Sequence, residues 1–356
     1  SHFAHEQRSP EGAFRRPLFV REMRATIGVD CECVTVRSGG RLLVKLPMRQ
    51  VAEIVVFGNN AVSCRLVRRC VEWGIPLSFC GPMGHYAATV RPESAGHFAL
   101  AGQHFARHSA QPTPDRVALA RKIVEAKLTH YIAWLEEAGG DDSLAAADAV
   151  VALWRGLAAA DTVEAVRGSE GAAARIVFPW VNRRVAHRPG FVAAHRLPKG
   201  KPDRFNALLD FAYFLLFTRL NVILRTRGLN PFLGWLHSAE NPYESLVCDL
   251  QEMFRCRMDR LVVKTINRSV LGELDFIEDP PGRWQLTREG MAKFLEVFER
   301  EQDVRLAGTP GTLRDLLSAQ VQCVANWVGG AAEMKLYRSE SRRHSTIRAT
   351  QKLSSI

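Results

Sequence analysis

YAATVRPESAGHFALAGQHFAR, residues 86–107, is where the chain changes character. Residues 86–90 are rich in β-branched and aromatic side chains and read as a short strand. Pro92 cannot continue a ladder or a helix interior, so it marks a boundary. Beyond it, 97–107 reads as a helix, and the chain stays helical thereafter. Upstream, from Leu18, the pattern is of strands: CVTVR, RLLVKLP, EIVVFG and IPLSFC, separated by Gly, Pro and Asn. One helix interrupts them, VSCRLVRRCVEWG, with Ser63 as N-cap and Gly74 just past its end. Its apolar positions Val67, Cys70 and Val71 follow helical spacing. Downstream, helices are predicted over 97–107, 116–138, 144–157, 170–185, 203–227, 243–267, 287–301 and 312–328. The expected fold class is α+β: a small N-terminal β-rich domain over 17–95, then a larger all-α domain over 96–332. Residues 1–16 read as a disordered linker and 333–356 as a disordered basic tail carrying Lys335, Arg338, Arg342, Arg343, Arg348 and Lys352. Residues 187–202, rich in Gly, Pro and Lys, read as an exposed loop.

The chain has 356 residues, enough for two domains, and is 47% hydrophobic, which supplies real cores. A net charge of +11 suits a polyanionic partner, most simply nucleic acid. Arg outnumbers Lys roughly four to one, which favours bidentate phosphate contacts. Eight cysteines contain no CxxC pair, so a zinc ribbon or redox motif finds no support. Reduced thiols in a cytoplasmic protein are expected. No signal-peptide pattern is read and none is expected, and the apolar run 207–224 is interrupted by Asp210, Arg219 and Asn221, so no membrane is expected.

Two segments carry candidate chemistry: RGSEGAAARIVF (167–178) and GLNPFLGWLHSAENPYESLVCDLQEMFR (228–255). Glu170, His237, Asp249 and Glu252 combine carboxylates with one imidazole, the donor set of a hard, partly open Mg²⁺ or Mn²⁺ site. Such sites do phosphodiester chemistry. Asp249 and Glu252 are three apart and share a helix face. Taken singly, each residue has a blander reading: Glu170 near a helix start suits the helix dipole, the carboxylate pair suits a solvated face, and His237 suits a structural hydrogen bond. Gly234 allows close backbone approach around His237, while Phe232 and Trp235 read as core. Arg255 lies three after Glu252 and either holds a phosphate or pairs with that carboxylate. Arg257 on the same helix, and Arg65 and Arg68 on the N-terminal one, are further candidates for DNA contact. No nucleophile elbow or Walker loop occurs, so the chemistry needs no ATP.

The ordered combination Glu170-Gly171, then Gly228 to His237 as Gly-Leu-x-Pro-x-Leu-Gly-x-Leu-His, then Ser245 to Arg255 as Ser-Leu-x-x-Asp-Leu-x-Glu-x-x-Arg, resembles the catalytic segments of the CRISPR spacer integrase. That family is the larger subunit of the CRISPR adaptation complex. The phrase Asn206-Ala-Leu-Leu belongs to it too. Many members have Asp where this chain has Glu252. The resemblance implies a β-domain that mediates a homodimer and a helical domain with one metal site per subunit, built from Glu170, His237 and Glu252. Asp249 is then a ligand, a neighbouring acid or a positioning group. It implies prespacer and repeat DNA as substrates, antiviral defence as the setting, and a small ferredoxin-like adaptation subunit as partner. Some relatives are fused to an iron–sulfur nuclease or a reverse transcriptase. The rival readings are a branched-DNA endonuclease without integration and a non-catalytic DNA-binding scaffold.

Overall fold

The structure is a computed structural model that describes residues 16–81, 86–91, 95–110, 113–193, 195–197, 202–237, 243–306, 311–331 and 333–339. Two compact units meet in sequence at Ala95 and Gly96.

The N-terminal unit is built from short β-branched runs joined by tight turns. Its strands are β1 (Arg16–Val20), β2 (Thr26–Asp30), β3 (Cys33–Ser38), β4 (Arg41–Pro47), β5 (Val51–Phe57), β6 (Ala61–Val62), β7 (Leu77–Cys80) and β8 (Tyr86–Val90). One sheet runs β4-β3-β2-β6 and the other β1-β5-β7-β8. The β3–β4 hairpin pairs Ser38 with Arg41 across Gly39-Gly40, both at positive φ, a turn whose backbone twist suits only such residues. Between β6 and β7 lies α1 (Cys64–Glu72), and the Ser63 hydroxyl accepts from Leu66 N at 3.2 Å as its cap. Leu66 and Cys70 enter the core with Ile27, Val34, Ile54 and Leu77. Val71, expected on the apolar face, is 37% exposed, because Leu66 and Cys70 already define that face one turn apart.

The second unit is helical: α2 (Ala95–Ala110), α3 (Thr113–Ala138), α4 (Asp141–Gly156), α5 (Val163–Arg183), α6 (Arg204–Thr226), α7 (Ser245–Asn267), α8 (Arg288–Gln302) and α9 (Leu313–Val328). The strand-first, helix-second α+β order holds. The helical part is not purely α, however: β9 (Phe276–Glu278) pairs antiparallel with β10 (Trp284–Leu286) across the Pro- and Gly-bearing turn between them. One core cluster runs through all its helices, with Trp180, Phe205, Phe254 and Phe294 fully buried. Each such side chain contributes roughly 1.5–3 kcal/mol by leaving water.

Helix α6 lies at the centre. By length and mean hydropathy it could cross a membrane, but 72% of its apolar window is buried inside this unit. Asp203 caps it by accepting from Asn206 N at 2.7 Å. Asn206, fully buried, binds the preceding segment: its Nδ2 donates to His195 O at 2.9 Å and its Oδ1 accepts from Leu197 N at 3.1 Å. The described part of 187–202 is therefore bolted down, with Phe191 and Ala193 buried.

Residues 333–339, assigned to a disordered tail by composition, pack on the helical unit instead. Met334 is buried, Arg338 pairs with Glu125 at 2.7 Å, and Tyr337 N donates to Gln320 Oε1 at 2.8 Å. Composition weighed the basic residues and missed the apolar Met334 and Tyr337 beside them. Of the linker expected over 1–16, Arg16 instead opens β1, and residues 1–15 lie outside the described residues, as do Arg342, Arg343, Arg348 and Lys352.

Candidate active site

Helix α7 supplies three side chains at helical spacing, Asp249, Glu252 and Arg255, and helix α5 supplies Glu170. Glu170 does not sit at a helix start. The helix begins at Val163, capped by the Thr162 hydroxyl, which accepts from Ala165 N at 3.1 Å. The helix expected over 170–185 therefore starts seven residues earlier, with Gly168 and Gly171 inside it and Val166, Ala173 and Val177 buried along it. A dipole role for Glu170 is thereby removed, since the effect fades within the first turn.

Asp249 is completely buried and its oxygens are fully engaged. Oδ2 accepts from Trp235 N at 2.5 Å and Leu236 N at 3.0 Å. Oδ1 accepts from His237 N at 2.9 Å and lies 2.8 Å from His237 Nδ1. The carboxylate thus organises the whole loop 235–237. With Asp249 accepting from Nδ1–H, the neutral ring presents Nε2 as a lone pair. Burial alone would lower the His237 pKa, but the Asp249 hydrogen bond and the charges of Asp249 and Glu252 outweigh it and raise it.

The loop reaches this position because nothing larger than glycine fits at 234. A Cβ there would stand 2.7 Å from the Ser245 carbonyl carbon and 2.9 Å from Asp249 Oδ2. Ser245 seals the same contact, accepting from Gly234 N at 2.9 Å and donating to Phe232 O at 2.7 Å. Helices α2 and α3 hold the loop from the other side: His108 Nε2 lies 2.9 Å from Gly234 O, and Arg116 Nε donates to Trp235 O at 3.2 Å. Trp235 is core as expected, whereas Phe232 is 39% exposed, because the turn directs it outward toward the Arg225 guanidinium.

Glu252 is buried at 2% exposure and pairs on both oxygens. Oε2 accepts from Lys127 Nζ at 2.6 Å, and Oε1 lies 2.9 Å from Arg255 Nε. Lys127 also donates to Glu170 Oε1. Burial would raise the Glu252 pKa, but Arg255, Lys127 and His237 together push it down to about 2. The Arg255 guanidinium lies over the Tyr213 ring, 4.8 Å from its centroid, and Arg196 lies over the same ring at 5.5 Å. Tyr213 and Tyr131 both donate to Asp259, whose carboxyl burial raises above its ordinary value. Cys248, next to Asp249 in sequence, is no nucleophile: burial pushes its thiol up to about 12. All eight cysteines are free.

Glu170, His237, Asp249, Glu252 and Arg255 are therefore brought together. Arg257 is not: it turns to another face of α7 and pairs with Glu301. Arg65 and Arg68 are exposed on α1 in the N-terminal unit, while Arg69, next to Arg68, pairs with Glu32 and Glu72. Sequence reading missed Lys127, Tyr213 and Arg196. For Lys127 a signal existed: it falls among Ala120, Ile123, Val124, Leu128 and Tyr131, on the buried side of a predicted helix, where a charge is costly unless paired.

The donors fit a hard divalent cation in kind, since carboxylate oxygens from two helices converge on one cationic group and an imidazole Nε2 is offered beside them. Among the described residues, however, no group of three His, Cys, Asp or Glu stands close enough to hold a metal ion. The Lys127 ammonium stands where the two glutamates meet.

Comparison with known proteins follows the same lines. The family described as "CRISPR associated protein Cas1" matches residues 18–300. The chain is 32% identical over 296 residues, 80% of its length and 85% of the relative's, to "CRISPR-associated endonuclease Cas1 1" of Moorella thermoacetica. In fold it is similar to a chain of a "Cas6-RT-Cas1--Cas2 complex", with a TM-score of 0.73 and 19% identity over 93% of this chain but only 37% of that one. It is similar also to a "Casposase bound to integration product", with a TM-score of 0.71 and 18% identity over 96% of this chain and all of that one. At those identities the structural likeness is one of fold. The enzymatic assignment rests on the family match and the endonuclease relatives, and the chain belongs to the CRISPR-associated Cas1 family of endonucleases.

Proposed function

We propose that the chain is a divalent-metal-dependent DNA integrase of CRISPR adaptation, which joins short duplex DNA to a repeat array by transesterification. The observation that carries this reading is the convergence of Glu170 and Glu252, from α5 and α7, on one cationic group, beside an imidazole whose free nitrogen is Nε2. Glu170, Glu252 and His237 would hold Mg²⁺ or Mn²⁺, which supplies Lewis-acid charge at the phosphate oxygens. Asp249 holds His237 in the tautomer and orientation that leave Nε2 available. Arg255, fixed over Tyr213, provides a guanidinium for the phosphate diester. In the joining step a 3′-hydroxyl of one DNA forms a P–O bond while one P–O bond of the target strand breaks. The proton lost by the attacking hydroxyl is matched by the one gained by the leaving hydroxyl, so no ATP and no protein nucleophile take part.

The fold neighbour bound to an integration product supports joining over simple cleavage. The neighbour in complex with Cas2 supports a small partner subunit, and its longer chain supports fusion as an arrangement open to this fold. In the N-terminal unit, β4 is an edge strand with Leu42 and Leu43 more than 40% exposed, which favours that unit as the homodimer surface.

The test is joining of a labelled duplex to a supercoiled repeat-bearing plasmid, with Mg²⁺ or Mn²⁺ and the small partner present. Joining by the wild type and none by Glu170→Ala or His237→Ala is expected. Cutting of branched DNA without any joined product would replace this reading by a branched-DNA endonuclease. DNA binding with neither reaction would replace it by a scaffold.

A further inference from the structure

Lys127 is a charged side chain in a core position. It is 4% exposed, and its partners Glu170 and Glu252 come from two other helices. Both oxygens of Glu252 are already committed, Oε2 to the Lys127 ammonium at 2.6 Å and Oε1 to Arg255 at 2.9 Å. An entering ion must compete with these two cations for that carboxylate. We infer that Lys127 is a built-in competitor for the divalent cation: its ammonium fills the cation position between Glu170 and Glu252, and the ion enters by displacing it. This inference rests on the reading of those two glutamates as metal ligands.

Charge balance favours exchange over addition. With the His237 ring neutral, as metal ligation requires, Glu170, Asp249 and Glu252 carry three negative charges against one each on Lys127 and Arg255. A divalent ion added beside the ammonium would leave a buried positive surplus and place two cations in contact. Replacing the ammonium leaves the cluster neutral, and removing charge imbalance from a buried site is strongly favoured. Of the two cations, Lys127 is the one built to leave. Arg255 is seated on the Tyr213 ring, whereas Lys127 ends a flexible four-carbon stem that meets no aromatic ring among the described residues. The absence of a three-donor metal group is then a consequence of the ammonium holding the carboxylates to itself. Divalent-cation affinity of the DNA-free protein is held low by this contact.

Mn²⁺ titration of the full chain without DNA, followed by calorimetry and by the Mn²⁺ paramagnetic resonance signal, tests this directly. Lys127→Met should bind Mn²⁺ at least roughly tenfold more tightly than the wild type. Equal or weaker binding by a folded Lys127→Met protein overturns the inference. A second measurement needs no variant: acetylation of wild-type lysines, read by mass spectrometry. Lys127 should be protected in EDTA and become reactive at saturating Mn²⁺. Protection unchanged with Mn²⁺ bound overturns the inference while leaving the metal reading intact. No Mn²⁺ binding by either protein, with or without duplex DNA, refutes the metal-ligand reading and this inference with it.

Discussion

At the residue scale, Glu252 and Asp249 stand one helical turn apart and have opposite duties. Glu252 faces cations, so Glu252→Ala should abolish strand transfer while leaving DNA binding nearly intact. Glu252→Asp should keep appreciable activity, because a shorter carboxylate still supplies a hard oxygen. Loss of joining in the Asp variant as complete as in the Ala variant would show that reach, not charge, is decisive. Asp249 faces the backbone of the loop. Asp249→Ala strands the Trp235 and Leu236 amides in a buried site and should cost about 2–4 kcal/mol of stability as well as activity. Thermal unfolding measures the first and plasmid joining the second; an unchanged melting temperature would contradict the loop-organising role. Sequence motifs place both acids but do not separate their roles, since what distinguishes them is which groups meet their oxygens.

At the element scale, two buried imidazoles tie helices to what packs on them. His104 on α2 accepts from Asn230 N at 3.2 Å, and His130 on α3 lies 2.6 Å from Ser339 Oγ. Burial pushes each down to about 4. Unfolded, each titrates near ~6.5. Between these values the unfolded chain binds more protons, so both groups favour the fold above pH ~6.5 and lose that contribution as pH falls toward ~4. Chemical denaturation at pH 7.5 and pH 5 should show a clear loss of stability at the lower pH, reduced in a His104→Gln, His130→Gln double variant. Equal stability at both pH values in the wild type would contradict it. For the strand elements, Leu42→Lys with Leu43→Lys on the β4 edge should shift the protein from dimer to monomer in light scattering, since charge on an edge strand opposes pairing. A wild-type chain that is monomeric at micromolar concentration would remove β4 as the dimer surface.

At the scale of the whole molecule, the +11 charge should make DNA binding strong at low salt and steeply weaker between ~50 and ~200 mM, through counterion release. Fluorescence anisotropy across that range checks it, and a flat affinity would mean that phosphate contacts contribute little. What the sequence by itself determined is the order of strands then helices, the Ser63 cap of α1, and the shared face of Asp249 and Glu252. Those features follow from period, capping and turn chemistry within a few residues of one another. The β9–β10 hairpin escaped because its strands are three residues long, too short for a period to register. Only the tertiary structure decided that Lys127 meets Glu170, 43 residues away, and Glu252, 125 away, and that Arg257 turns from the site to Glu301. It also decided that Glu170 lies two turns inside its helix. Such pairings are set by how α3, α5 and α7 pack, and packing joins faces that no local pattern along the chain relates.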